Sequence, residues 1–177
     1  MKDLKSSLLL YAVTDRYWLN GRKLKDDVEK AILGGATMIQ LREKNLSTED
    51  FIKEALEIKE VCKKYDIPFI INDSLEVFLA VDADGIHVGQ NDLSADIVRK
   101  KIGPNKILGV SAETVSEALL AEKMGADYLG VGTIFSTSTK LDAINVTKEE
   151  LARISYSVNI PVVAIGGITL DNIKEAA

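Results

Sequence analysis

Short apolar runs alternate with charged segments of helical period along the whole chain. The runs fall at residues 8–13, 38–41, 69–71, 86–88, 107–110, 128–131 and 162–165, and are rich in Val and Ile. Continuous apolar runs, in place of strict alternation, predict strands covered on both faces. Between them, residues 24–33 set Leu24, Val28, Ala31 and Ile32 at spacings of three and four. A longer segment carries Phe51, Ile52, Ala55, Leu56 and Ile58. Ser47 or Thr48 is a natural N-cap for it, with Glu49 and Asp50 in the first turn, where the helix dipole favours acidic groups. Residues 94–101, 114–124 and 147–157 read the same way. Such βαβα repetition predicts a parallel sheet.

The connections repeat as well. Gly34-Gly35-Ala36-Thr37, Val81-Asp82-Ala83-Asp84 and Met124-Gly125-Ala126-Asp127 each precede a predicted strand, and residues 83–89 align with residues 126–132. Ile67-Pro68 and Ile160-Pro161 also sit directly before strands, where proline's missing donor is harmless. No linker or second composition regime interrupts the pattern, so one domain over residues 1–177 is expected. At roughly 150 residues per domain the length agrees. An apolar content of 46% and a charged content of 28% exclude disordered, collagen-like and coiled-coil classes. No apolar stretch approaches the ~18 residues of a membrane span, and the first residues lack a signal-peptide pattern. A lone Cys62 cannot form an internal disulfide, which fits a reducing cytoplasm. The net charge of -5 argues against nucleic acid or an anionic membrane as the main partner.

Polar chemistry collects after the apolar runs. Thr14-Asp15-Arg16 follow the first, Gln40 to Lys44 the second, Asn72-Asp73 the third and Gly89 to Asp92 the fourth. Ser111 ends the fifth, Thr133 to Lys140 follow the sixth and Gly166-Gly167 the seventh. A parallel barrel gathers these points on its C-terminal rim, and an open doubly wound sheet would gather them at one edge. Arg42, Lys44 and Lys140 would supply cations, and Thr137, Ser138, Thr139 and the amides near Gly167 would supply phosphate donors. Asp73 and Asp92 are natural hard-oxygen ligands for Mg²⁺. The plainer readings are helix N-caps for Asp73 and Asp92, a solvated charge for Arg42 and turn chemistry for Gly166-Gly167. His87 reads as a packed strand residue, Cys62 as filler on a helix, and Tyr17-Trp18 as a loop pair.

Several segments together carry a family resemblance. They are residues 11–15 (Tyr-Ala-Val-Thr-Asp), 40–44 (Gln-Leu-Arg-Glu-Lys), 71–73 (Ile-Asn-Asp) and 85–92 (Gly-Ile-His-Val-Gly-Gln-Asn-Asp). Residues 109–111, 130–135, 137–143 and 164–168 continue the match in order. The chain thus resembles thiamine phosphate synthases over essentially its whole length. The resemblance implies an α/β fold, a TIM (βα)8 barrel, and a transferase of thiamine biosynthesis. The enzyme would condense 4-amino-2-methyl-5-pyrimidinylmethyl diphosphate with 4-methyl-5-(2-phosphoethyl)thiazole by a dissociative, Mg²⁺-assisted route. It further implies that Gln40, Leu41, Arg42, Glu43, Lys44, Asn72, Ser111 and Lys140 hold the pyrimidine diphosphate. Thr137, Ser138, Thr139 and Gly167 would receive the thiazole phosphate, Asp73 and Asp92 would hold Mg²⁺, and Arg42, Lys44, Ser111 and Lys140 would be the catalytic groups. Its partners would be these phosphorylated small molecules, with neither nucleic acid nor membrane, and homo-oligomerisation is left open.

The rival readings are a thiazole tautomerase, in which a histidine would stand where this chain has Glu113, and a non-catalytic homologue that only binds phosphate ligands. Thr133, Ser136 and Glu113 depart from many members. A complete barrel ordinarily takes roughly 200–250 residues, whereas this chain has 177. Residues 169–177 read as a capped helix just beginning, so the last βα unit is expected to be missing.

Overall fold

The structure, a computed structural model, describes residues 3–135 and 145–175. Its contacts divide the chain into two compact units, Met1–His87 with Asn105–Ile107, and Val88–Pro104 with Leu108–Ala177.

The first unit holds α1 (Leu4–Ser7), β1 (Tyr11–Val13), a 3₁₀ turn (Arg16–Trp18), α2 (Leu24–Leu33), β2 (Met38–Leu41), α3 (Thr48–Lys64), β3 (Phe69–Asn72), α4 (Leu75–Val81) and most of β4 (Gly85–Val88). Its strands are parallel and in sequence order, with Val13 opposite Gln40, Leu41 opposite Ile71 and Asn72 opposite His87. Every residue of β2, β3 and β4 is buried, as continuous apolar runs require. α3 begins where its capping signal places it, because Ser47 Oγ accepts the Asp50 N–H at 3.2 Å. The helix buries Phe51, Ala55, Ile58 and Cys62, one face at spacings of three and four.

The second unit holds α5 (Ala95–Ile102), most of β5 (Ile107–Ala112), α6 (Val115–Lys123), β6 (Tyr128–Val131), α7 (Lys148–Ser157), β7 (Val162–Ala164) and a 3₁₀ turn (Ile173–Glu175). Here too the strands are parallel, with Ser111 opposite Gly130 and Val131 opposite Ala164. Thr114 and Glu117 close a capping box at the start of α6. Thr147 Oγ1 accepts the Glu150 N–H at the start of α7.

The repeated connections share one device. Thr37, Asp84 and Asp127, the last residues of the three matching tetrapeptides, each donate a backbone N–H to the carbonyl of Leu10, Phe69 or Leu108 at 2.8–3.0 Å. In return their side-chain oxygens accept the N–H of the same three residues at 2.7–2.9 Å. Each clip ties the entry of an even-numbered strand to the strand before it. At Asp127 the clip is reinforced, since its carboxylate also takes Arg99 Nη2 at 2.6 Å while Arg99 reaches the carbonyls of Gly103 and Gly125.

Two elements differ from expectation. α4 lies in a segment that is apolar nearly all round, Leu75, Val77, Phe78, Leu79, Ala80 and Val81, so no amphipathic period marks it. The first run is extended only from Tyr11, because the Leu8 N–H bonds the Leu4 and Lys5 carbonyls and closes α1. Among the described residues, no helix is long and apolar enough to cross a membrane.

Two stability predictions follow from this framework. Asp127→Ala orphans the Leu108 N–H and removes the carboxylate partner of Arg99, which keeps its bonds to the Gly103 and Gly125 carbonyls, and should cost about 1–3 kcal/mol in urea unfolding. Lys100→Ala removes only an exposed i,i+4 pair with Asp96 and should cost under about 0.5 kcal/mol. His87, buried in β4, has its pKa pushed down from the usual 6.5 to about 4 by burial, against a smaller upward pull from Asp73. Above pH 6.5 both folded and unfolded states hold it neutral. As pH falls from about 6.5 to 4, the unfolded chain takes up the proton first, and stability is lost. His87→Gln should therefore retain a larger fraction of its neutral-pH stability at pH 4.5 than the wild type does.

Candidate active site

In the first unit the polar groups gather where β1, β2 and β3 end. Thr14 grips the segment after β2 twice, its N–H bonding the Gln40 carbonyl at 2.9 Å and its Oγ1 accepting the Arg42 N–H at 3.0 Å. Asp15 Oδ1 accepts the Tyr17 N–H and caps the 3₁₀ turn that presents Arg16. Gln40 is buried, and its Nε2 donates to Tyr11 Oη at 2.7 Å. Leu41 is wholly buried, so its side chain belongs to the core. Arg42 is half-buried, and its guanidinium has no partner among the described residues. Glu43 pairs with Arg16, and Lys44 Nζ reaches Asp73 Oδ2 at 2.5 Å.

Asn72 and Asp73 end β3. Asn72 is buried, its carbonyl accepting the Ser74 N–H. Asp73 takes a left-handed conformation at φ 61°, which short polar residues tolerate, and its N–H bonds the His87 carbonyl. It is not the cap of α4. That role belongs to Ser74, whose Oγ accepts the Val77 N–H, so the Asp73 carboxylate is left for a cation, here Lys44.

In the second unit Asp92 closes the turn after β4, taking the Gly89 N–H on Oδ2 at 2.7 Å and donating its own N–H to the Gly89 carbonyl. Ser94, not Asp92, is the N-cap of α5. The plain helix-cap reading thus holds for neither aspartate. Gln90 Nε2 donates to the Ser111 carbonyl at 2.5 Å, joining that turn to the end of β5. At the ends of β6 and β7 the backbones approach closely. A Cβ on Gly132 would lie 2.1 Å from the Ile165 carbonyl oxygen, and Gly166 sits at φ 100°. Gly167, at φ 64°, has its carbonyl fixed by Asn172 Nδ2 at 2.9 Å.

The structure therefore joins Lys44 to Asp73 directly, and links the Asp92 turn to Ser111 through Gln90. Thr137, Ser138, Thr139 and Lys140 lie outside the described residues. Cys62 is buried on α3, as expected of filler, and Trp18 is exposed with Tyr17 edge-on to it. Among the described residues no three His, Cys, Asp or Glu side chains converge to hold a metal alone. Mg²⁺ takes one or two carboxylates and completes its shell with water and phosphate oxygens, so a carboxylate such as Asp73 is chemically suited to it. Asp73 already holds a cationic group. Sequence reading missed the roles of Tyr11, Glu54 and Gln90. Gln90 lay inside a recognised motif, but its partner could not be read from spacing.

The family model for thiamine monophosphate synthase matches residues 10–177. A thiamine-phosphate synthase of Clostridium tetani is 57% identical over 166 residues, covering 94% of this chain and 79% of the relative. That of Clostridioides difficile is 52% identical over 174 residues, covering 98% and 83%. Thiamine phosphate pyrophosphorylase from Pyrococcus furiosus superposes with a TM-score of 0.88 at 41% identity, covering 98% of this chain and 82% of that one. FabK from Thermotoga maritima, at 21% identity and a TM-score of 0.66, shares the fold alone. The expected α/β-barrel class holds, with seven parallel strands and alternating helices among the described residues. With relatives more than half identical along nine-tenths of its length, the chain belongs to the thiamine monophosphate synthase family, transferases of thiamine biosynthesis.

Proposed function

We propose that this enzyme joins 4-amino-2-methyl-5-pyrimidinylmethyl diphosphate to 4-methyl-5-(2-phosphoethyl)thiazole, giving thiamine phosphate and diphosphate. The observation that carries the reading is the pair of neighbouring strand ends at β2 and β3. There Arg42, whose guanidinium has no partner among the described residues, follows β2 in the same segment as Lys44. Lys44 pairs with Asp73, and no Ser, Cys or His side chain stands among the three. Two cations and a carboxylate already paired with one of them suit departure of a polyanion better than attack by the protein.

The reaction breaks the bond from the pyrimidine methylene carbon to the diphosphate oxygen, and both electrons leave with the diphosphate. The aminopyrimidine ring stabilises the resulting cation, and the thiazole nitrogen lone pair forms the new C–N bond. No proton has to move, so no strong base is needed. This agrees with a buried neutral His87 and with Cys62, whose thiol is pushed up to about 12 mainly by burial. Arg42, Lys44, Ser111 and Lys140 would stabilise the charge growing on the leaving diphosphate. Gln40, Asn72 and the backbone at Leu41 would orient the pyrimidine, and Thr137, Ser138, Thr139 and Gly167 would hold the thiazole phosphate. Asp73 and Asp92 would hold Mg²⁺, which when bound neutralises diphosphate charge as a Lewis acid. The enzyme would act in the cytoplasm on small phosphorylated substrates.

The direct test mixes the chain with both substrates and Mg²⁺ and follows thiamine phosphate by chromatography. Product should form only when both substrates are present, and EDTA should stop it; no product at any enzyme concentration would overturn the reading. Asp73→Asn keeps the left-handed backbone acceptable and Asp92→Asn keeps an acceptor for the Gly89 N–H. Each should slow diphosphate release by about 10²-fold or more, in line with loss of a charge-stabilising group, while circular dichroism stays unchanged. Wild-type turnover in either variant would remove that residue from the metal site.

A further inference from the structure

Glu43 lies between the two cations of the segment proposed to hold the diphosphate, yet its side chain serves another contact. Lys44 reaches Asp73 at the end of β3. Glu43 instead meets Arg16, from the turn after β1, in a fork, with Nε on Oε2 at 3.2 Å and Nη2 on Oε1 at 3.1 Å. Glu54, on α3, takes the same Nη2. The Glu43 side chain is only 4% exposed, against 20% for Glu54 and 44% for Arg16. A bidentate guanidinium–carboxylate pair fixes direction as well as distance, and burial of its carboxylate side limits screening by solvent.

The chemistry of the substrate argues in the same direction. A carboxylate facing a diphosphate would repel it, so Glu43 is better placed as a brace than as a ligand. Arg16 offsets its charge, and without Arg16 two carboxylates, Glu43 and Glu54, would face one another. Arg16 is itself held more firmly protonated, chiefly by its hydrogen bond to Glu43. The same connection after β1 grips this segment at two further points, Thr14 to the Gln40 carbonyl and Thr14 Oγ1 to the Arg42 N–H. Three ties thus fall on residues 40, 42 and 43, and none of them uses the side chain of Arg42 or Lys44.

We propose that Glu43 is a positioning residue: through Arg16 and Glu54 it fixes the backbone between Arg42 and Lys44 so that both cations meet the diphosphate already in place, and it does not touch the substrate. The inference rests on the reaction proposed above. Its signature is selectivity. The brace supports the diphosphate side, so its loss alters recognition of one substrate and not of the other.

The experiment compares the wild type with Glu43→Gln, Arg16→Gln and the double variant, using the whole chain with Mg²⁺. Each single variant should raise KM for the pyrimidine diphosphate at least about fivefold, and raise the inhibition constant of inorganic diphosphate in parallel, while KM for the thiazole phosphate stays within about twofold. The double variant should be no worse than either single one, because both remove the same tie. Arg22→Gln, which breaks an exposed pair with Asp27, should leave both KM values unchanged. Thermal midpoints of all variants are read alongside. Equal changes in the two KM values, no change in either, or additive losses in the double variant would overturn the positioning role. Failure of the wild type to couple the two substrates would instead overturn the reaction, whereas an active wild type with unaltered variants would overturn the brace alone.

Discussion

The reciprocal clip at the entry of alternate strands is the constraint on which the architecture rests. A parallel strand covered on both faces cannot leave its first N–H to solvent, and an orphaned donor there would cost a large part of a hydrogen bond. Thr37, Asp84 and Asp127 meet that demand with one short side chain each, while their own N–H groups return a bond to the same residue. Two bonds between one pair of residues fix register, and with a side-chain period of two a slip of one residue would exchange the groups on the two faces of the strand. The clips join β1 to β2, β3 to β4 and β5 to β6, so the chain is built in pairs of strands.

With register set at strand entries, the exits are free to carry charge. Asp73 illustrates the consequence. Because Ser74 caps α4 and Asp73 turns through a left-handed conformation, the carboxylate escapes the local hydrogen bonds that usually consume an aspartate at a strand–helix junction. Arg42 is likewise held by its backbone, and its guanidinium has no partner among the described residues. At the exits of β6 and β7 the constraint is steric instead. Ile165 approaches Gly132 too closely for any Cβ, and the turn at Gly166 demands a positive φ. Polar groups there must come from the backbone or the following segment.

Which parts of this were legible in the sequence depended on how local their cause was. α2 spans the residues its 3.6-residue period places and α3 begins at its predicted cap, because both signals lie within a few neighbouring residues. The matching tetrapeptides announced a repeated unit, though the clip itself needs a partner 15 to 27 residues away and could not be read from spacing. α4 gave no period because it is apolar nearly all round. The family could be named from long ordered motifs, but those motifs do not say which way each side chain points. Glu43 and Lys44 are adjacent members of one motif, and only the fold sends one to Arg16 and the other to Asp73. Glu54, 38 residues from Arg16, had no local signal at all.

Burial also sorts the reactive side chains. His87 and Cys62, the two residues most often recruited as base and nucleophile, are both held in their neutral forms by desolvation and sit on a strand and a helix of the core. Arg42, Lys44 and Asp73, among the charged groups at the described strand exits, are of the kind that stabilises a departing anion. The Lys44–Asp73 pair then has a natural place in the proposed cycle. A bound diphosphate would offer Lys44 a stronger anion than one carboxylate, and Asp73 would then be the carboxylate able to hold a divalent cation there. Cation and anion partners exchange without any group having to be buried uncompensated, which is the condition a half-exposed ion pair at the end of two core strands must satisfy.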